Sequence, residues 1–217
     1  MTANRYTRPL PSSAALVLID VQRDFLDLPG DDAPTPVAGT CAAIPAMAKL
    51  AKAFRERLPP IVHVIRLYQP DGSNVEPVRR QSIEQGARIA VPGSAGSQIA
   101  AELLPNAVEL DHELLLAGGF QRVGATEHVM YKPRWGAFFN TGLDRHLRES
   151  GSNTLVFAGC NFPNCPRTSI YEASERDFRI VLVSDAISGL YDRGVEECRA
   201  IGVKVLGLSE TLDWLAR

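Results

Sequence analysis

The chain has 217 residues, with 23 Lys plus Arg against 25 Asp plus Glu and a formal net charge of −2. That near-neutral balance leaves no electrostatic footprint for nucleic acid or an anionic membrane, and no apolar run approaches the length of a membrane span, so the expected partner is a small-molecule substrate. The length suits a single domain over residues 1–217, and four cysteines without framework spacing together with a start lacking a secretory apolar stretch predict reduced thiols and a cytoplasmic setting.

In chain order, residues 14–21 form a continuous apolar run that ends in a charged cluster, as a strand covered on both faces would, with Asp20 at its carboxyl end. The Pro, Gly and Asp-rich stretch 29–36 reads as a loop. Over 40–58, Ile44, Met47, Leu50, Ala51 and Phe54 recur at helical spacing, and 61–67 follows as a second strand. Residues 68–96, rich in Gly, Pro and charge, are too long for a plain connection and are expected to carry function or a partner contact. A short helix is predicted over 97–104, a strand over 128–131 leading into Lys132, and a helix over 138–149. A strand at 154–158, a helix at 166–178 and a strand at 180–183 come next. Residues 195–217 read as helix, short strand and helix.

Strands alternating with helices at this spacing predict βαβ units: a single-domain, three-layer α/β/α fold on a mostly parallel, doubly wound, Rossmann-like sheet. Ligands in such sheets sit outside the carboxyl ends of the strands. Asp20, Lys132 and Cys165 all fall at or just beyond such ends, so an acid, an amine and a thiol converge on one crevice. Cys165 also precedes Pro166, which suits a first helical turn, and the free N–H groups and dipole of a helix start favour thiolate. Cys41, Cys160 and Cys198 read as small buried hydrophobes. The Cys160 to Cys165 spacing has neither a second cysteine pair nor a histidine at ligand distance, which disfavours structural zinc.

Three segments carry a resemblance: Leu18-Ile-Asp20-Val-Gln22-Arg-Asp-Phe25, Lys132-Pro-Arg-Trp-Gly-Ala-Phe138-Phe-Asn-Thr141-Gly-Leu143, and Gly159-Cys-Asn-Phe-Pro-Asn-Cys165. In order and spacing these resemble the Asp, Lys and Cys signatures of the isochorismatase-like cysteine hydrolases, the superfamily of nicotinamidases, N-carbamoylsarcosine amidohydrolases and ureidoacrylate amidohydrolases. The resemblance implies that Asp20 is the general base, Lys132 its electrostatic partner and Cys165 the nucleophile that forms a thioester. It also implies an oxyanion hole from the backbone N–H groups of Asn161 and Cys165, with a cis peptide between Cys160 and Asn161 turning the first donor inward, and a homo-oligomer, dimeric or tetrameric.

This chain departs from that pattern at Phe162, where relatives carry Thr, and at Pro166, where they carry a small apolar residue. Phe162, Phe25 and Trp135 are expected to wall a substrate pocket, with a place in the core as the plainer fate of such rings. The Asp-x-His pair of metal-binding relatives is missing: the corresponding stretch holds Arg66 and Tyr68, and His63 reads as a core residue, so neither metal nor cofactor is expected. Arg66, Tyr68 and Arg79 are candidates for holding a carboxylate.

The leading expectation is hydrolysis of a C–N bond in a small amide, carbamoyl or ureido compound. Alternatives are vinyl ether hydrolysis of the isochorismatase type, a Cys160/Cys165 redox protein, and a catalytically dead interaction module. No G-x-S-x-G elbow or G-x-G-x-x-G fingerprint is present, which disfavours a serine hydrolase and a dinucleotide enzyme.

Overall fold

A strand with apolar side chains on both faces is stable only between two layers, and the first strand shows the consequence. In the computed structural model, which describes residues 4–28 and 33–217, β1 (Ala14–Ile19) has no residue more than 2 % exposed. Ala14, Leu16 and Leu18 enter one core cluster, while Ala15, Val17 and Ile19 enter another on the opposite face. Part of the expected 29–36 loop, residues 29–32, lies outside the described residues.

Helix α1 (Thr40–Arg57) packs Ile44, Met47, Leu50, Ala51 and Phe54 into the first of these clusters. It ends at Leu58, whose φ of +66° cannot continue a right-handed helix. The second cluster takes Leu143 and Leu147 of α4 (Leu143–Glu149), Ile170 and Ala173 of α5 (Cys165–Ser174), and Cys198 of α6 (Asp192–Ala200). Helix α7 (Leu208–Leu215) packs Leu215 on the α1 side.

Between the layers, β1 pairs with β2 (Ile61–Ile65) and β5 (Thr154–Gly159), and the seven-stranded sheet has the order β3-β4-β2-β1-β5-β6-β7. Its other members are β3 (Phe120–Arg122), β4 (Glu127–Tyr131), β6 (Arg179–Ile187) and β7 (Lys204–Leu206). All pairings are parallel except that of β3 with β4, so the expected mostly parallel, doubly wound sheet is present. The chain winds outward from β1 through β2 to β4, then returns to β5 and winds the other way. The switch point therefore falls between β1 and β5, where the crevice of an open α/β sheet lies.

Several boundaries differ from expectation. The expected 97–104 helix is two isolated 3-10 turns, Ala95–Ser97 and Ala101–Leu103. Helix α4 begins at Leu143 rather than at 138, because Asn140 takes a φ of +50° and Phe138 N–H donates 2.9 Å to Glu172 Oε2 instead of to a helical carbonyl. Helix α5 stops at Ser174, and Asp177 at φ +59° turns the chain into β6. Helices α2 (Pro77–Glu84) and α3 (His112–Leu116) and strand β3 were not anticipated.

His63 is a core residue, as expected. It is 2 % exposed and its Nε2 lies 2.7 Å from Glu127 Oε1, while Arg55 reaches the same carboxylate at 2.8 and 2.7 Å. Burial raises the Glu127 pKa, but hydrogen bonds from Arg55 and His63 outweigh it and hold the carboxyl down at about 2. Among the described residues, no helix is long and apolar enough to cross a membrane.

Candidate active site

Asp20 leaves the end of β1 with a φ of +55°, a left-handed conformation that costs an Asp roughly 1–2 kcal/mol. Its N–H still donates 2.8 Å to Val64 O of β2, so the sheet holds the strained residue in place. Asp20 is 4 % exposed and pairs through Oδ2 with Lys132 Nζ at 2.8 Å, whereas its buried Oδ1 has no hydrogen-bond partner among the described residues. A buried carboxylate oxygen without a donor is costly in a purely structural role and is a ready proton acceptor.

Lys132 comes from β4, two strands away, and its side chain spans β2 to reach Asp20. It is fully buried, with its own N–H on Ile65 O at 3.0 Å and its carbonyl accepting from Arg66 Nη1 at 2.8 Å. Its Nζ also donates to Arg134 O at 3.3 Å. Main-chain bonds on both sides thus fix a cation that has no access to bulk water.

The third member arrives from β5. Cys160 N–H donates 2.8 Å to Ile19 O, which brings the chain directly against the end of β1. Gly159 makes that approach possible: its φ is +128°, and a Cβ there would lie 2.2 Å from Ile19 O. The chain then turns through 161–164 and enters α5 at Cys165 itself, which lines the same cleft as Asp20 and feels the charges of both Asp20 and Lys132. Cys165 stays partly exposed.

The ionisation of this thiol differs from the expectation drawn from its place at a helix start. Burial, and then the negative charge of Asp20, push the Cys165 thiol up to about 12, outweighing the opposite pull of Lys132. The resting sulfur therefore holds its proton at neutral pH, beside a carboxylate with a free oxygen. Burial likewise pushes Cys160 up to about 11. Two thiols above the ordinary range are poor partners for thiol–disulfide exchange, which runs through thiolate.

Asp20, Phe25, Val37, Arg66, Tyr68, Glu76, Arg79, Trp135, Cys160, Asn161, Asn164 and Cys165 line one cleft with a cavity volume of about 30 Å³. Space on that scale is enough to admit a water-sized group. The 68–96 segment forms one wall. Arg66, 2 % exposed, donates to Tyr68 Oη at 3.2 Å and forms an ion pair with Glu76 through Nη2. Tyr68 Oη donates 2.7 Å to Glu76 Oε1, as does Trp135 Nε1 at 3.3 Å.

Phe25 and Trp135 are at the cleft, but Phe162 is not: the expectation that it walls the pocket is corrected. It is fully buried in the core between the sheet and its helices, with its ring 5.5 Å from that of Tyr191. Gly194 leaves the room, since a Cβ there would lie 2.4 Å from Phe162 Cε1. The expected cis peptide is also corrected: every described peptide bond is trans, that between Cys160 and Asn161 included. A trans bond is the low-energy form for a non-proline residue. The N–H groups of Asn161 and Cys165 find no acceptor among the described residues. Of the carboxylate candidates, Arg66 and Tyr68 are spent on Glu76, and only Arg79 keeps terminal donors free. Among the described residues, no three of His, Cys, Asp and Glu cluster as metal ligands would.

Comparison with known proteins agrees with this architecture. A family model described as the isochorismatase domain matches residues 14–205, which include all three converging side chains. The chain belongs to the isochorismatase family. An isochorismatase family protein from Desulfovibrio vulgaris has a solved structure that superposes with a TM-score of 0.79 at 32 % identity, covering 94 % of this chain and 99 % of the other. A probable inactive nicotinamidase from Arabidopsis thaliana is 27 % identical over 94 % of this chain and 97 % of its own length. The ureidoacrylate amidohydrolase RutB of Methylobacterium radiotolerans is 25 % identical over 81 % of this chain and 67 % of its own. At this level the protein is an isochorismatase-family hydrolase.

Proposed function

We propose that this protein is a cofactor-independent cysteine amidohydrolase that cleaves a C–N bond of a small amide, carbamoyl or ureido compound. The observation that carries the reading is the convergence on one cleft of a protonated thiol and the Asp20 carboxylate, which is paired with a buried lysine and keeps one oxygen without a partner among the described residues. A nucleophile at rest as a thiol needs a base at the moment of attack, and Asp20 takes that role.

Asp20 takes the proton as Cys165 Sγ attacks the carbonyl carbon. Lys132 balances the carboxylate and the sulfur in turn, and the N–H of Cys165, without an acceptor among the described residues at the start of α5, meets the oxyanion. Asp20 then gives its proton to the leaving nitrogen, the C–N bond breaks, and the acyl group remains on sulfur as a thioester. Water attacks that thioester while Asp20 takes its proton, and the acid leaves as the thiol is restored. Every proton taken by Asp20 is returned within the cycle.

The similarity to a ureidoacrylate amidohydrolase supports this class of bond. The similarity to a probable inactive nicotinamidase makes a direct activity test necessary. Small primary amides, N-carbamoyl amino acids and ureido acids, screened for ammonia release with the purified protein, are expected to include at least one turned over well above the buffer rate. Release of no ammonia from the whole set, by protein shown to be folded, contradicts the proposal.

A further inference from the structure

We infer that the substrate of this cleft carries a carboxylate, or an equivalent planar anion, and that Arg79 is the residue that holds it; the inference rests on the amidohydrolase reading for the reaction but not for the anion site. Three cations, Arg66, Arg79 and Lys132, surround the cleft against two carboxylates, Asp20 and Glu76. With the Cys165 sulfur protonated, one positive charge is left over. A cation held partly out of water gains from an anionic partner.

The surplus belongs to Arg79. Lys132 is paired with Asp20 at 2.8 Å, and Arg66 is paired with Glu76 and donates as well to Lys132 O at 2.8 Å and Tyr68 Oη at 3.2 Å. Glu76 has little left to offer, because its oxygens already receive Arg66, Tyr68 and Trp135. Arg79 reaches it only through Nε, at 3.4 Å. Its two terminal nitrogens make no hydrogen bond among the described residues, although its side chain is only 32 % exposed.

The guanidinium is nevertheless well placed. Its Nε lies 3.4 Å from Glu76 Oε1 and its carbon 5.9 Å from the centre of the Tyr68 ring, which places the guanidinium at the cleft wall. A planar pair of N–H donors fits a carboxylate with two parallel bonds and does not fit a neutral methyl or amide end. Arg79 and Cys165 line the same cleft, so the anion is held at Arg79 while the carbonyl carbon faces Cys165.

The test compares two alkylating probes, iodoacetate and iodoacetamide, on the native protein. In both, sulfur loses its proton, bonds to the CH₂ carbon and expels iodide, so they differ in the charge they bring to the cleft. Rates at the Cys165 peptide are read by mass spectrometry and divided by the rates of the same probes with 2-mercaptoethanol. The normalised preference for iodoacetate is expected to be about 10-fold or more, the worth of one hydrogen bond to a charged group. Arg79→Gln should erase it, and Arg79→Lys, which keeps the charge without the fork, should retain part. A wild-type preference at or below one, or one that Arg79→Gln leaves unaltered, overturns the assignment. Ammonia release from succinamate and from its neutral analogue butyramide separates the two readings: equal release from both without any iodoacetate preference removes the anion site and keeps the hydrolase. Iodoacetate preference abolished by Arg79→Gln, with no ammonia from any amide, keeps the anion site and removes the hydrolase.

Discussion

Cys165→Ala is expected to lower ammonia release by about 10⁴-fold or more, with a change in stability within about 1 kcal/mol. The two halves of this expectation have separate causes. The Cys165 sulfur is the atom that forms the acyl bond in the proposed cycle, so its loss removes that covalent route. The fold is spared because the thiol, pushed up to about 12, carries no charge into the ground state, and alanine leaves Asp20 and Lys132 paired at 2.8 Å. kcat/KM from ammonia release and Tm from thermal unfolding check the two halves together. Turnover within 10-fold of wild type would place the chemistry on another group.

Lys132→Met is expected to abolish turnover and also to destabilise the fold by about 3–5 kcal/mol, because it strands the Asp20 carboxylate in a buried site. Lys132 is fully buried and Asp20 is 4 % exposed, so water cannot replace the lost partner without opening the sheet end. Adding Asp20→Asn removes the stranded charge. The double variant should regain most of the stability and none of the activity, a non-additivity diagnostic of one coupled pair. Urea unfolding of wild type, the two single variants and the double variant measures it. Strictly additive losses would mean that the pair is not coupled as its geometry requires.

The two effects identify which parts of the site the sequence could disclose. Asp20, Lys132 and Cys165 were legible because each ends or follows a strand whose apolar run is unmistakable, and an open parallel sheet brings such ends together. The wall of the cleft was less so. Arg66 falls in the second predicted strand and Glu76 in the 68–96 stretch expected to carry function, and nothing in either signals that they are buried against each other. A long-range ion pair leaves no periodic trace.

The same limit explains the Cys165 thiol. Its place at the start of α5 argues for a lowered pKa, and that argument is local; burial and the Asp20 charge, which win, come from 145 positions away in the sequence and from packing. Phe162 was misjudged for a related reason. Whether an aromatic lines a cleft or fills a core depends on its neighbours, and the space that receives it is created by Gly194 on a later helix. Helix α4 is shorter than its sequence pattern because Asn140, of a residue type that tolerates positive φ without requiring it, adopts one here. The short β3, antiparallel at the sheet edge, lies partly exposed and has too few residues to show a pattern.

The decisive measurement is the mass of the Cys165 peptide from protein acid-quenched during turnover of an amide it hydrolyses. An increment equal to the acyl group of that amide, lost on treatment with hydroxylamine and never formed by Cys165→Ala, is the predicted result. A peptide of unmodified mass at every quench time, under conditions in which acylation is faster than release, would contradict attack by this sulfur.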